Sequence, residues 1–282
     1  MLFSPVKVTP DDVGDHYDQL DEFYRVLWGT VLHHGLWLPN ESLPIRTATS
    51  RLLTLLVSSL SLKSGTRLVD IGCGYGADAH AIAEQTGACV SGITISRSQE
   101  TKAREMSPPI QGSVCIKQGD WLQNAYLEES FDCAIAVESL SHMDDKKAFF
   151  SELYRVLAPG GRAAIACWTI RPSPSPAERL LLRILCLSGS LPSLGSTSDY
   201  TKLVGASGLS LRKSRDLTTL VEPTWGRIAR KTIGSLTRPH FLLACLKLTL
   251  RRPLVSCAIP AMILAFRVGV LRYRAFWLER QP

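Results

Sequence analysis

The chain has 282 residues, 45% hydrophobic and 20% charged, and carries a formal net charge of +7 at pH 7. That length and balance suit a globular chain whose core is large enough to fold without staples, and exclude a disordered or fibrous one. The eight cysteines are scattered with no C-x-x-C pair, so free, buried thiols in a reducing compartment are expected, and neither a disulfide framework nor a metal site.

The first stretch, "MLFSPVKVTPDDVGDHYD", lacks a basic start followed by an apolar run, so no secretory signal is expected and the chain reads as cytoplasmic. From Asp11 to Gly29, Val13, Tyr17, Leu20, Phe23, Tyr24 and Leu27 recur at helical spacing. This predicts one amphipathic helix closed by Gly29. "RTATSRLLTLLVSSLSL" predicts a second helix. Strands then alternate with helices: "RLVDIG", "ACVSGITI", "VCIKQGD", "FDCAIAVES" and "GRAAIACWT" are apolar throughout, the pattern of strands covered by helices on both faces. The intervening helices are "ADAHAIAEQTG", "SRSQETKAREM" and "DDKKAFFSELYRVL". The sum is an α/β, doubly wound, Rossmann-like sheet.

After Trp168 proline and serine break the regularity around one short basic amphipathic helix, "ERLLLRILCLS". "TSDYTKLVGASG" predicts a helix ending at Gly208, and "LSLRKSRDLT" and "LRYRAFWLER" predict strands separated by mostly helical material. The expected organisation is a helical lid over residues 1–60, a cofactor-binding core over 61–170, and a region over 171–282 that caps the acceptor pocket and adds strands to the sheet. The longest uncharged apolar run, Pro253 to Phe266, is broken by Pro260 and is too short to span a bilayer. Basic residues crowd the C-terminal third, but no aromatic-interleaved signature supports nucleic acid as a partner. Two readings of "ERLLLRILCLS" and Pro253–Arg274 stand side by side: peripheral docking on a membrane surface, and a cap walling the pocket, which is preferred. Oligomeric state leaves no signature.

"VDIGCGYGA" carries the chemistry. Gly72, Gly74 and Gly76 sit where a parallel strand meets a helix, and only glycine lets the backbone turn sharply there while a ligand approaches. Alone, such a turn also fits a dinucleotide. An NAD site, however, wants an acid at the end of the second strand, where this chain has Thr94, and the acid here is Asp70, directly before the glycines. A carboxylate at that point suits a ligand bearing an ammonium group. Downstream, "QGDW" supplies Asp120 and Trp121, a pair suited to an adenine, and "AVESLSHM" supplies Glu138 and His142.

In this order and spacing, "VDIGCGYG", "GITISRSQ", "QGDW", "AVESLSHM" and "RVLAPGG" resemble the class I S-adenosylmethionine-dependent methyltransferases. "LWGTVLHHGLW" and the post-core segments are similar to the branch that holds γ-tocopherol, sterol and other small-molecule methyltransferases. The resemblance implies S-adenosylmethionine held by Tyr17, Asp70, Gly72, Cys73, Gly74, Gly76, Thr94, Ile95, Ser96, Gln99, Gly119, Asp120, Trp121 and Glu138. It implies a small, lipophilic acceptor such as a prenylated phenol, terpenoid or alkaloid. The sugar O-methyltransferases of this branch carry paired histidines and a fifth-strand acid where this chain has Ser141-His142 and Cys167, so carbon or nitrogen methylation is expected before sugar oxygen. His142, Glu138, His33 and His34 are the candidate bases, the two neighbouring histidines lying on a segment that could close as a lid. Trp37 is expected in packing or the donor pocket, Trp225 and Phe276 in the core or the acceptor wall. The alternative, a degenerate methyltransferase fold that binds without turnover, is opposed by the intact Asp70, glycine triad and Asp120.

Overall fold

The computed structural model describes residues 1–282. The chain opens with β1 (Leu2–Phe3), α1 (Pro10–Gln19), α2 (Asp21–Leu27) and α3 (Ile45–Val57). The alternating core follows: β2 (Arg67–Ile71), α4 (Ala77–Thr86), β3 (Cys89–Thr94), α5 (Arg97–Arg104), β4 (Ser113–Gln118), β5 (Phe131–Val137), α6 (Lys146–Val156) and β6 (Leu157–Ile170). The remainder is α7 (Pro176–Ser188), β7 (Ser193–Leu194), α8 (Thr197–Ala206), β8 (Leu209–Asp216), α9 (Thr218–Val221), α10 (Pro223–Ser235), α11 (Pro239–Arg251), α12 (Pro253–Ser256), α13 (Ala258–Arg267) and β9 (Leu271–Arg280).

Seven strands form one sheet in the order β4-β3-β2-β5-β6-β9-β8, and β1 pairs separately with β7. Strands β2 to β6 run parallel, and β9 is antiparallel to both its neighbours. The chain steps outward from β2 to β4, then returns to β5 on the other side of β2. That reversal opens a crevice beyond the carboxyl ends of β2 and β5, where open sheets of this kind bind ligands. Helices cover both faces: Leu52 and Leu56 of α3 and Ile82 of α4 fill one core layer, Phe149 and Leu153 of α6 the other. Each such side chain contributes roughly 1.5–3 kcal/mol by leaving water.

The N-terminal helix is two helices. Thr9 and Asp12 form a capping box with Pro10 in the first turn, so α1 begins one residue before the apolar pattern does. At Leu20 the backbone leaves helical geometry (φ −100°, ψ 7°), and α2 restarts with the acidic pair Asp21 and Glu22. β4 departs from the fully covered pattern because it is the sheet edge, with four of its six residues exposed. The thiols are free, but Cys89, Cys115 and Cys257 are exposed, contrary to the expectation of burial. The basic amphipathic segments fold inward: Leu182, Leu185 and Cys186 of α7 and Met262, Ala265 and Phe266 of α13 join the core. No helix is long and apolar enough to cross a membrane.

Candidate active site

The glycine turn follows β2 with φ of +77°, +56° and +75° at Gly72, Gly74 and Gly76, a region that residues with a Cβ enter at a cost. The N–H groups of Gly72 and Cys73 both donate to the Ile93 carbonyl, at 2.8 and 3.0 Å, locking the turn onto β3. A Cβ on Gly72 would lie 2.3 Å from the Ser139 Cβ, whereas one on Gly74 would meet nothing within 4 Å. The turn is therefore packed at one end and open at the other. Helix α4 starts behind it with no side-chain cap, leaving N-terminal N–H groups uncommitted.

Asp70, the penultimate residue of β2, is 4% exposed, and its Oδ2 has no hydrogen-bond partner. Burial, followed by the charge of Asp78, pushes its carboxyl up to about 8, with His33 pulling weakly the other way. A buried carboxylate without a partner beside an open glycine cradle is the unfinished half of an ion pair. The amino-acid end of S-adenosylmethionine fits it: its ammonium would complete Asp70, and the bare α4 N-terminus suits its carboxylate.

The crevice above encloses about 1380 Å³ of empty space, a figure that includes its open mouth. Tyr17, Thr94, Ile95, Gln99, Gly119 and Asp120 line it together with Asp70, Gly72, Cys73 and Gly74. Gly76 and Ser96 do not: Gly76 stands at the start of α4, and the Ser96 side chain caps α5. Thr94 donates to Gln99 Oε1 at 2.8 Å, so the second strand ends in a neutral, internally satisfied pair. Asp120 accepts from the Leu122 N–H at 2.9 Å and keeps a raised pKa through burial. Trp121 borders the cavity, but its indole packs on Phe149 and donates to the Phe149 carbonyl at 3.4 Å, so it is anchored in the core as well.

All four candidate bases border the same cavity, and their hydrogen bonds set them apart. His33 reaches the His34 carbonyl through Nδ1 (2.8 Å) and the Asp78 carboxylate through Nε2 (2.9 Å). Two acceptors require two protons, so His33 is an imidazolium. Burial alone would lower its pKa, but the charge and hydrogen bond of Asp78 outweigh it and raise it to about 9. It cannot serve as a base. His34 Nε2 receives the indole N–H of Trp225 at 2.7 Å, a group that only donates, so its proton sits on Nδ1 and is given to Glu138 Oε1 at 2.7 Å. Both nitrogens of His34 are engaged.

Glu138, in the left-handed region at φ +61°, receives three donors on Oε1: the His34 N–H, the His34 ring and the Tyr273 hydroxyl at 2.9 Å. Burial raises its pKa, but the contacts from His34 and the charge of His33 bring it below the usual range, so it is ionised with Oε2 left without a protein partner. His142 faces the Ser190 carbonyl with Nδ1 (3.4 Å) and the Tyr17 hydroxyl with Nε2 (2.9 Å). Nδ1 must carry the proton, so Nε2 accepts from Tyr17. Burial lowers its pKa to about 4 and keeps it neutral.

Sequence reasoning missed Asp78 and Tyr273, the partners that decide the states of His33 and Glu138. Asp78 lies in the first turn of α4, where an acid is ordinary helix chemistry, and Tyr273 reads as strand packing. Trp28, Trp168 and Trp225 add an aromatic wall to the cavity, the Trp28 and Trp225 rings meeting edge to face, while Trp37 and Phe276 lie outside it. Trp37 donates to Thr224 at 2.9 Å under the Arg227 guanidinium, and Phe276 packs on Tyr200.

Residues 6–207 match the family model described as mycolic acid cyclopropane synthetase. The chain is 34% identical over 230 residues to the 27-O-demethylrifamycin SV methyltransferase of Amycolatopsis mediterranei, covering 81% of this chain and 84% of that protein. It is 27% identical over 280 residues to the chloroplastic tocopherol O-methyltransferase of Arabidopsis thaliana, covering 93% and 79%. Among solved structures, the cyclopropane synthase MmaA2 of Mycobacterium tuberculosis superimposes with a TM-score of 0.84 at 19% identity over 98% of this chain and 100% of that one. The related CmaA1, with S-adenosylhomocysteine bound, gives 0.84 at 19% identity over 97% and 99%. The glycine cradle, its orphaned carboxylate and these likenesses converge: the chain belongs to the mycolic acid cyclopropane synthetase family and is a class I S-adenosylmethionine-dependent methyltransferase.

Proposed function

We propose that the enzyme methylates a hydroxyl oxygen of a small, lipophilic acceptor, and that Tyr17 and His142 take the hydroxyl's proton. Oxygen replaces the carbon or nitrogen favoured from sequence for two reasons. One relative is named a tocopherol O-methyltransferase and another a methyltransferase of 27-O-demethylrifamycin SV, and a neutral imidazole reached through a phenol suits an O–H. The observation that carries the reading is the 2.9 Å bond from the Tyr17 hydroxyl to an Nε2 that the Ser190 carbonyl keeps unprotonated.

When bound, S-adenosylmethionine supplies a methyl group on a sulfonium, whose sulfur leaves with the bonding electron pair as the oxygen–carbon bond forms. In this reading Asp70, Gly72, Cys73, Gly74, Thr94, Ile95, Gln99, Gly119 and Asp120 hold it directly, Gly76 and Ser96 through the backbone they shape. The acceptor lies against Trp28, Trp168 and Trp225, which exclude water. As the hydroxyl oxygen gains its third bond, to the methyl carbon, its proton becomes strongly acidic, so a base with a pKa of about 4 still accepts it. The proton moves to Tyr17 Oη while Tyr17 gives its own to His142 Nε2. Glu138 and His34 fix the lid segment, and the open Oε2 of Glu138 faces the acceptor.

The test is methyl transfer to a panel of lipophilic phenols and macrocyclic alcohols, with products mapped by mass spectrometry and NMR. His142→Ala is expected to lower kcat by about 10²–10⁴ while cofactor affinity, read by calorimetry, stays within about threefold. Undiminished turnover in that variant, or a methyl group found on carbon, refutes the assignment.

A further inference from the structure

Helix α11 turns little of its apolar surface inward. Phe241 is buried against Phe23 of the lid, but Leu243, Leu246 and Leu250, spaced i, i+3 and i+7 along one stripe, are 52%, 55% and 85% exposed. Leu242 beside them and Leu254 on α12, which packs against α11, are also exposed. Scattered surface leucines are ordinary; a contiguous stripe of them is a docking surface.

The charge around the stripe says what docks. Between Glu222 and Glu279 the sequence has no acidic residue. The ion pairs of the C-terminal third are made by Arg212, Arg274 and Arg280, so Arg238, Lys247 and Arg251, exposed around the leucines, are uncompensated. A second copy would set these cations against their own kind. An anionic surface with an apolar layer beneath it complements both features at once. We propose that α11 lies on the surface of an anionic lipid bilayer, with its leucines in the headgroup–acyl boundary and Arg238, Lys247 and Arg251 among the phosphates.

Of the segments marked for such contact from sequence, α7 and α13 pack into the core, whereas the start of Pro253–Arg274, α12, has no buried residue; the main surface lies on α11, just before it. That position touches the site. Lys231 of α10 donates to the Leu27 carbonyl at 2.9 Å, Arg252 reaches Gln19 at 3.3 Å, and α10 carries Trp225 of the cavity wall. A bilayer under α11 therefore sits against the lid and the aromatic wall. This deepens the reading of a lipophilic acceptor, which would reach the cavity from the bilayer.

The experiment is co-sedimentation of the full chain with phosphatidylcholine vesicles, with and without phosphatidylglycerol, in the absence of cofactor and acceptor. A failure there leaves the methyl-transfer reading intact. Binding to the anionic vesicles is expected to be at least about tenfold stronger and to weaken with salt. Lys247→Glu with Arg251→Glu, and separately Leu243→Ser with Leu246→Ser and Leu250→Ser, are each expected to lower it about tenfold or more with the melting temperature unchanged. Equal binding to both vesicle types, or variants that bind as the parent does, overturn the proposal. So does a dimer in sedimentation velocity that the leucine variant disperses, since that assigns the stripe to a second copy.

Discussion

Adding S-adenosylmethionine to the free protein at pH 7 is expected to expel most of a proton, and the source is Asp70. Its carboxyl stands at about 8 because it is buried with an unpartnered Oδ2. At pH 7 it is therefore about nine-tenths protonated. An ammonium against Oδ2 would oppose the effect of burial, and a fall of two units or more would leave about a tenth protonated, a release of roughly 0.8 proton. His33, at about 9, stays charged on both sides of the binding event and adds nothing. Calorimetric titrations in phosphate and in Tris measure the release directly, because the heats differ by the buffers' ionisation enthalpies times the protons exchanged. Asp70→Asn should erase the buffer dependence and weaken binding by about tenfold or more. Identical heats in the two buffers, or a buffer dependence that survives Asp70→Asn, refute the pairing of Asp70 with the ligand.

The remaining expectations address the cradle, the lid and the response to pH. Gly74→Leu adds a side chain where no protein atom stands within 4 Å, so it should cost only about 1–2 kcal/mol of stability at φ +56° yet abolish cofactor binding by calorimetry. The Tyr75 hydroxyl donates to Asp21 Oδ1 at 2.6 Å, latching the lid to the glycine turn. Asp21→Asn should therefore speed release of S-adenosylhomocysteine about 3–10-fold in stopped flow, and an unchanged off-rate contradicts a lid that must open. For the free protein, stability should peak near pH 6.5. Below it, burial holds His142 at about 4 and His16 at about 3, so between pH 6.5 and 5 the unfolded chain takes up two protons the fold refuses, against one that Asp70 keeps only when folded. Stability then falls with pH by up to about 1.4 kcal/mol per unit. Above pH 6.5, Asp70 and His33 hold protons the unfolded chain gives up, and buried Lys146, lowered to about 7, offsets one of them from there upward. Stability falls again toward pH 8. Melting curves at pH 5, 6.5 and 8 check this, and a monotonic trend sinks it.

The sheet was legible because its strands are short apolar runs punctuated by glycine and proline, a pattern set by burial on both faces. The glycine turn was legible because its positive φ angles leave few alternatives to glycine. The break at Leu20 was not: Leu20 continues the apolar period of α1, and only the local φ and ψ reveal that two helices share it. The ribbon of Leu2–Phe3 with Ser193–Leu194 involves two residues from each strand, too few for any period. The histidines were legible as a set and illegible as individuals. "HHG" and "SHM" place imidazoles near the crevice, but which one is charged depends on Asp78, Trp225 and Ser190, distant in sequence and joined only by the fold. The leucines of α11 look like core residues because periodicity reports an apolar face without saying whether the chain itself covers it.

The lid and the chemistry are one structure. Tyr17 of α1 reaches His142 beyond β5, Asp18 holds Ser96 and the Ser98 N–H at the start of α5, and His34 grips Glu138. These bonds join the N-terminal segment to the carboxyl ends of two strands, β3 and β5. On the proposed reading, the proton path through Tyr17 would require the N-terminal segment to stay docked on the core. Undocking would separate the Tyr17 phenol from His142, so the proposed base and the enclosure of the acceptor would be assembled together.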